Sequence, residues 1–544
     1  MRRNYRLWAI AIALGTLVAM VAATCIDAYE PHTFEVYHQH EEALRLDEVA
    51  PRDIEAASAV NIDVASFASH LPVVSIDTGG NQIPGASLFA SDEHPAARTP
   101  GYIDSKTGLP SSGGMHPVTI AADGRATVPA QIDIFARGFE DGSLDVGAHD
   151  AGRPCNRLSD EAVLSARAEV HVRGHSSRRF DKHGYALKFT EADRMTGVDL
   201  DVLGMGACDN WALNGPFLDK SLIRNYLVLT LASEFMPYVP EVRLCEVFVN
   251  GSYQGVYLLM ETVKYGPDRV DIEKSDPKMA QTGYILKRDW VDSMGEGGIE
   301  DLLSAAWLTS PQSKVEIVYP SPTDITPEQR AWIASDLNAI EKSLYSYDYD
   351  TASYGYWRTL DVESFVDYLV INEFAANSDA GRYSTYMYKD VRGRLCMGPI
   401  WDFNNAFDNY RDDDLSEAGF MMTQRPLYAM LFRDERFVEH YIARWRELRE
   451  GPLSDERIES VIDGAVSYLG PAVERNYAVW GYAFDPERLD PDQKLSPDER
   501  NPVSHEAAVE RLSTYALSRA HWIDRNIENT RQLCHDSAVK QYNH

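Results

Sequence analysis

Lysine is scarce in this chain. Only 13 of its 52 basic residues are lysine, against 83 acidic residues, and the net charge is −31 over 544 residues. A field of that sign repels phosphodiester backbones, so no nucleic-acid partner is expected. Cysteine is rare as well. The six (Cys25, Cys155, Cys208, Cys245, Cys396 and Cys534) form no C-x-x-C pair and no Cys/His zinc spacing, which argues against a disulfide scaffold or a zinc module. Neither G-x-S-x-G nor H-E-x-x-H occurs, since His505-Glu506 lacks the second histidine, and a secreted hydrolase of either kind finds no support. Beyond the N-terminus no apolar stretch is long enough to span a bilayer, and there is no internal repeat. What is present is core-forming material: 44% hydrophobic residues, with 29 Tyr, 18 Phe and 10 Trp, which excludes global disorder.

Arg2, Arg3 and Arg6 precede an apolar run from Leu7 to Ala23 that ends in small residues. That order marks a secretory signal, and at about 17 residues the run lies at the lower edge of a membrane span. Residues 1–28 therefore read as a signal peptide or membrane anchor. The protein is expected to be secreted or at the cell surface, touching a membrane only through this segment. Residues 29–70 read as a polar linker. Within it, His38-Gln39-His40-Glu41-Glu42 has metal-binding side chains but reads as solvated stalk.

Order begins at Leu71-Pro-Val-Val-Ser-Ile-Asp77, a short strand, and period-2 alternation returns at 130–135 and 168–172. A hairpin is expected where Asn250-Gly251 joins 246–249 to 253–260, because Asn-Gly supplies the positive φ angles of a tight turn. After about residue 320 the pattern turns helical. Thr326-Pro327-Glu328-Gln329 reads as a capping box, Asp361 as the cap of a second helix, and 434–450 and 504–530 as further helices. The chain is thus α+β, with a β-rich half over 71–265, a helical half over 266–534 and a tail over 535–544.

The chemistry concentrates between 361 and 410. A helix ends near Ala376, and the loop Asn377-Ser-Asp379-Ala-Gly381 leads into the strand 384–389. After a turn at Arg392-Gly393, a second strand over 395–400 runs into Trp401-Asp402-Phe403-Asn404. A hairpin brings its open ends together, so Asp379 and Asp402 should be neighbours, able to hold a divalent cation or to divide metal binding and proton acceptance. The order helix, Asp loop, hairpin, Asp-Phe loop is also that of the catalytic half of a protein kinase. Upstream, Arg173-Gly174-His175-Ser176-Ser177 is a small-residue turn able to offer backbone N–H groups to phosphates. Lys188, in Tyr185-Ala-Leu-Lys-Phe189, faces away from its apolar neighbours, where a nucleotide would need a positive charge. The junction from Glu261 to Val263, where the β half hands over to the helical half, is where an adenine would sit.

These blocks resemble the CotH kinase family, atypical secreted or spore-coat protein kinases. The resemblance covers roughly 71–450 and rests on 71–77, Arg173–Ser177, Tyr185–Phe189, Trp211-Ala-Leu-Asn-Gly215, Asp219-Lys-Ser-Leu-Ile-Arg-Asn225 and Val247–Tyr257. Its most specific parts are Asn372-Glu373, Asn377-Ser-Asp379, Ser384–Asp390 and Gly398-Pro-Ile-Trp-Asp-Phe403. It implies a two-lobed, protein-kinase-like fold that binds ATP with Mg²⁺ or Mn²⁺ and phosphorylates Ser or Thr of a protein. By resemblance Asp379 and Lys188 are catalytic. Arg173, Gly174, Ser176, Lys188, Tyr257, Glu261, Val263 and Trp401 bind the nucleotide, with Trp401 and Tyr257 flanking the adenine. Asp402 and Asn404 hold the metal, although the family often has Asp where Asn404 stands. The family also often has an acid where Lys287-Arg288 lies, and no role is drawn there. Asp219 and Glu234 are the candidates for an acidic partner of Lys188. The competing class is a non-catalytic, kinase-shaped surface or adhesion module.

Overall fold

The computed structural model describes residues 38–43, 62–87, 118–136, 155–290, 313–411 and 415–540. The signal segment, Cys25, most of the 84–116 loop and the acidic run at 412–414 lie outside the described residues.

The first half builds a closed barrel. Its strands are β1 (Val73–Asp77), β2 (Val128–Phe135), β3 (Leu164–Val172), β4 (Tyr185–Phe189), β7 (Asn210–Asn214), β8 (Val242–Val249) and β9 (Ser252–Glu261), in the order β1-β2-β3-β4-β7-β9-β8. The ring closes through parallel pairing of β1 with β8. Alternation along the strands sends Val74, Ile76, Ile132, Val170, Leu187, Leu213 and Val247 into one enclosed cluster. The predicted hairpin is there, with Asn250 at φ 48° and Gly251 at φ 76° in the β8–β9 turn. Two short strands, β5 (Leu200–Asp201) and β6 (Ala207–Cys208), pair beside the barrel.

The second half is helical, as expected, but not purely so. Strands β10 (Tyr284–Trp290), β11 (Ser313–Tyr319), β12 (Thr385–Lys389) and β13 (Cys396–Met397) form a second sheet in the order β11-β10-β12-β13. Strand β13 is shorter than the expected 395–400, because Gly398 takes a φ of 121° and Pro399 has no N–H to donate.

Helix α1 (Arg224–Ser233) lies between β7 and β8 in the chain. It is followed by α2 (Pro327–Tyr345), α3 (Val362–Phe374), α4 (Tyr428–Leu431), α5 (Glu435–Arg449), α6 (Asp455–Leu469), α7 (Ala472–Trp480) and α8 (His505–Asn526). Helix α2 opens with the expected capping box of Thr326 and Gln329, and the Asp361 side chain accepts from Ser364 N at the start of α3.

One apolar core joins barrel and helices, running from Leu71, Ala212 and Leu244 to Phe365, Phe403, Trp445 and Ile523. Helix α7 packs on β9. There Arg475 forms a fully buried bidentate pair with Glu246, at 2.7 and 2.8 Å.

The stalk reading of 38–42 is corrected. Residues 39–43 form a helical turn in which Gln39 and His40 are each 2% exposed. Gln39 exchanges two hydrogen bonds with the backbone of Leu244, at 3.1 and 2.7 Å, while His40 Nδ1 meets the Tyr226 hydroxyl at 2.8 Å. Polarity signalled solvent, but these polar groups find partners and become interior. No disulfide joins any two of the described cysteines, Cys155, Cys208, Cys245, Cys396 and Cys534.

Candidate active site

Met387 pairs with Met397 and Tyr388 with Cys396, so the β12–β13 hairpin opens toward residues 379–384 on one side and 400–402 on the other. At that mouth Ser384 Oγ donates to Asp402 Oδ2 at 3.4 Å. Asp379 stands beside Asp402. Burial first, and the Asp402 charge second, push the Asp379 carboxyl up to about 6, while Asn405 Nδ2, donating to Oδ2 at 2.9 Å, works the other way. Asp379 and Asp402 are therefore brought together. Asp402 takes a φ of 62°, and Ser384 and Phe407 also have positive φ. Non-glycine residues held in this region signal local strain at the mouth.

Helix α1 and the barrel hold the loop after Asp402. Asn225 Oδ1 accepts from Phe403 N at 2.8 Å, and Arg224 Nε donates to Ala406 O at 3.0 Å. The place expected for Asn404 is altered by the same network. Its Oδ1 accepts from Asn225 Nδ2 at 2.9 Å and Asn214 Nδ2 at 3.3 Å, and its own Nδ2 donates to Asp402 Oδ1 at 2.7 Å. In this arrangement Asn404 offers Asp402 a donor, not a carbonyl oxygen for a cation, and acts to position Asp402.

Lys188 does not reach the mouth. It pairs across β7 with Asn210, whereas Asn214 is the β7 residue that touches Asn404. Four residues of strand, about 13 Å, separate the two levels. Lys188 Nζ instead donates to Met195 O at 3.4 Å. The acids considered for it are taken elsewhere: Asp219 pairs with Arg224 at 2.5 Å and Glu234 with Arg457 at 2.7 Å.

Two other cations occupy the mouth. Arg173 lies 5.2 Å over the Trp401 ring; burial lowers its pKa, and Asp402 and Tyr386 act against that fall. Lys287 lies opposite Tyr386 on β10 and pairs with Asp289 at 2.5 Å. Burial works against the Lys287 ammonium, but Tyr386 and Asp289 together hold its pKa above the ordinary range. Asp289 Oδ1 accepts from Ser384 N at 3.3 Å and adds to the negative charge that Asp379 feels.

Of the 173–177 turn, Arg173 faces Asp402, and His175 stacks on Trp290, which stacks on Tyr383 at 3.7 Å. Gly174 has a φ of 107°, and any Cβ there would strike Ser177. Ser176 is exposed and opens the 3₁₀ turn Ser176–Arg179.

The residues expected around the adenine are largely buried against protein partners. Tyr257 is enclosed in the barrel, stacked on Tyr185 and lying under Lys182. Trp401 is 8% exposed, packed between Arg173 and Tyr386. Glu261 is committed to Arg269, Tyr238 and Glu241 N, and Val263 is core. Glu261 pairs with Trp211, at the Lys188 end of β7.

Asn214, Asn225, Lys287, Asp289, Ser384 and Asn405 escaped sequence reasoning. Asn214 and Asn225 lie inside two of the family-like blocks, and Lys287 and Asp289 stand two apart, as residues sharing one face of a strand do.

Whether the mouth fits a cation can be read from its donors. No group of three or more His, Cys, Asp or Glu with metal-holding geometry occurs among the described residues. Two adjacent carboxylates, one with an oxygen that takes no hydrogen bond among the described residues, do not make an all-protein cage. They do match magnesium, which uses one or two carboxylates and completes its shell with phosphate and water. The residues present therefore fit a nucleotide-borne divalent cation.

Comparison with known proteins agrees with the blocks read from sequence. The family model described as CotH kinase protein matches residues 170–523, ending later than the sequence blocks did and starting after the 71–77 strand. Inner spore coat protein H of Bacillus subtilis (strain 168) is 20% identical over 344 residues, covering 62% of this chain and 80% of that protein. With a match over well more than half its length, the chain belongs to the CotH kinase protein family.

Proposed function

We propose that this protein is a kinase-like phosphotransferase that moves the γ-phosphoryl group of ATP to a Ser or Thr hydroxyl of an extracytoplasmic protein. The observation that carries the reading is the pairing of Asp379 and Asp402 at the hairpin mouth, with Arg173 and the Lys287–Asp289 pair beside them. A carboxyl held near 6 is mostly ionised at neutral pH yet basic enough to accept a proton, which suits Asp379 to take the proton of the attacking hydroxyl as the new P–O bond forms and the bond to the β-phosphate breaks. Arg173 and Lys287 supply positive charge where charge builds on the transferred group. Asp402, positioned by Asn404 and Ser384, would hold Mg²⁺ or Mn²⁺, leaving Asp379 to accept the proton, and the bound ion would supply charge neutralisation for the phosphates.

On this reading the barrel and the helical half correspond to the two lobes of a kinase. The spore-coat relative, with the N-terminal signal pattern, favours a secreted or coat-associated site of action. No helix among the described residues is long and apolar enough to cross a membrane.

The test is transfer of labelled phosphate from ATP, with Mg²⁺ or Mn²⁺, to a Ser-rich protein, with Asp402→Asn beside wild type. Incorporation by wild type and none by the variant is the expected result. Absence of both transfer and metal-dependent ATP binding would replace the proposal with a non-catalytic surface module.

A further inference from the structure

Three guanidinium groups converge on the loop that carries Asp379. Arg288 Nη1 donates to Gly381 O at 3.0 Å from β10. Arg425 Nη2 donates to Ser378 O at 2.7 Å from the segment before α4. Arg382 belongs to the loop itself and is exposed. Structural duty accounts for only part of this charge. Arg425 is 6% exposed, yet its Nε has no hydrogen-bond partner, and no carboxylate forms a salt bridge with Arg425 or Arg382 among the described residues. The Arg382 side chain makes no hydrogen bond among them either, although its backbone N–H donates to Asp379 O at 2.9 Å. The groups repel one another: burial first and Arg382 second lower the Arg425 pKa to about 10, and only the charges of Asp379, Glu373 and Tyr368 oppose this. Glu373 is already held by Met421 N, Met422 N and Arg519.

Two guanidinium groups this close, with no carboxylate bridging Arg382 or Arg425 among the described residues and only the through-space charges of Asp379 and Glu373 beside Arg425, require a reason. The place supplies one. Arg382 follows Asp379 by three residues and Arg425 reaches the carbonyl of Ser378 just before it, so both border the residue proposed to accept the proton. Building on the phosphotransferase reading, we infer that Arg382 and Arg425 form a binding site for an anionic side chain, carboxylate or phosphomonoester, of the acceptor polypeptide beside its accepting hydroxyl. Planar guanidinium forks suit either group. The site would select acidic or already phosphorylated sequences despite the acidic surface around it.

Fluorescence anisotropy of the full chain with short labelled Ser peptides tests this without requiring turnover. The peptides carry Asp, phosphoserine or Lys beside the acceptor Ser, and the proteins are wild type, Arg382→Ala, Arg382→Lys and Arg425→Lys, the last chosen to keep the buried charge. Expected are Asp or phosphoserine peptides binding about tenfold tighter than the Lys peptide, with most of that preference lost in Arg382→Ala and part kept in Arg382→Lys, as for one charge-assisted hydrogen bond. Which anionic peptide ranks first distinguishes the two sources. Equal or tighter binding of the Lys peptide overturns the inference, as does an Arg382→Ala defect confined to ATP affinity. Failure of the phosphotransferase reading is seen separately, as no label transfer to any peptide while the anisotropy ranking persists.

Discussion

Replacing Asp379 by Asn should stabilise the fold while removing its proposed chemistry. An aspartate carried from its ordinary value of about 3.9 to about 6 favours its neutral form in the folded state. The folded chain therefore binds more protons than the unfolded chain between those values, and stability falls as pH rises through that window. At neutral pH the penalty is about 3 kcal/mol, and about 1.5 kcal/mol after allowing for water at the partly exposed side chain. Asn keeps the shape and discards the charge. With roughly 2.1 cal/mol/K of unfolding entropy per residue, 544 residues give about 1.1 kcal/mol per degree. Asp379→Asn should then melt about 1.5–2.5 °C above wild type at pH 7.5.

Differential scanning calorimetry across pH reads the cause as well as the size. By pH 4.5 the gain should shrink to about a third, because wild-type Asp379 is then largely protonated in the folded state. Magnesium with ATP should reverse the order by stabilising wild type more. A variant that melts lower than wild type at pH 7.5, or a gain that does not change with pH, would refute the picture of a buried Asp379 carboxyl raised by its neighbour Asp402 at the hairpin mouth.

Arg173→Ala should weaken magnesium-dependent binding of labelled ATP at least about tenfold, whereas Lys188→Ala should change it by less than about twofold; equilibrium dialysis of the two variants decides which cation serves the phosphates. Arg475→Met strands the buried Glu246 carboxylate and should cost about 3–5 kcal/mol in urea unfolding, whereas replacing both residues by apolar ones should recover most of it. Burial holds His40 down to about 4, with Glu41 acting against it, so the unfolded chain binds the extra proton first and its contribution to stability fades as pH falls from about 6.5 toward 4. The wild-type melting temperature should accordingly drop more steeply over that range than that of His40→Gln.

The parts of this fold that could be read from sequence are those fixed within a few residues. Asn250-Gly251 dictates its turn, and Thr326 with Gln329 caps a helix start, because both devices act through adjacent backbone groups. Strand β10 was not legible for the opposite reason. Lys287, Arg288 and Asp289 stand in a row with no role drawn for them, and the partners that bury them become visible only in the folded sheet: Lys287 pairs with Asp289 along the strand, whereas Arg288 reaches Gly381 O and Asp289 reaches Ser384 N. The turn at 39–43 was misjudged in the same way, since its polar side chains are satisfied by Leu244 and Tyr226, nearly two hundred residues away.

The site divides along the same line. Asp379 and Asp402 could be paired from sequence because a hairpin needs only its own register to juxtapose its ends. Lys188 could not be placed, because a period of two tells which face of a strand a residue is on but not how far along the barrel it stands relative to another segment. It lies on the partly exposed face of its strand, and its ammonium meets the carbonyl of Met195. Arg173 follows β3 at the end where β7 delivers Asn214 to Asn404. If the phosphates of a bound nucleotide contact this barrel, the barrel must meet them at that end, and the cation that matters is the one closing over Trp401.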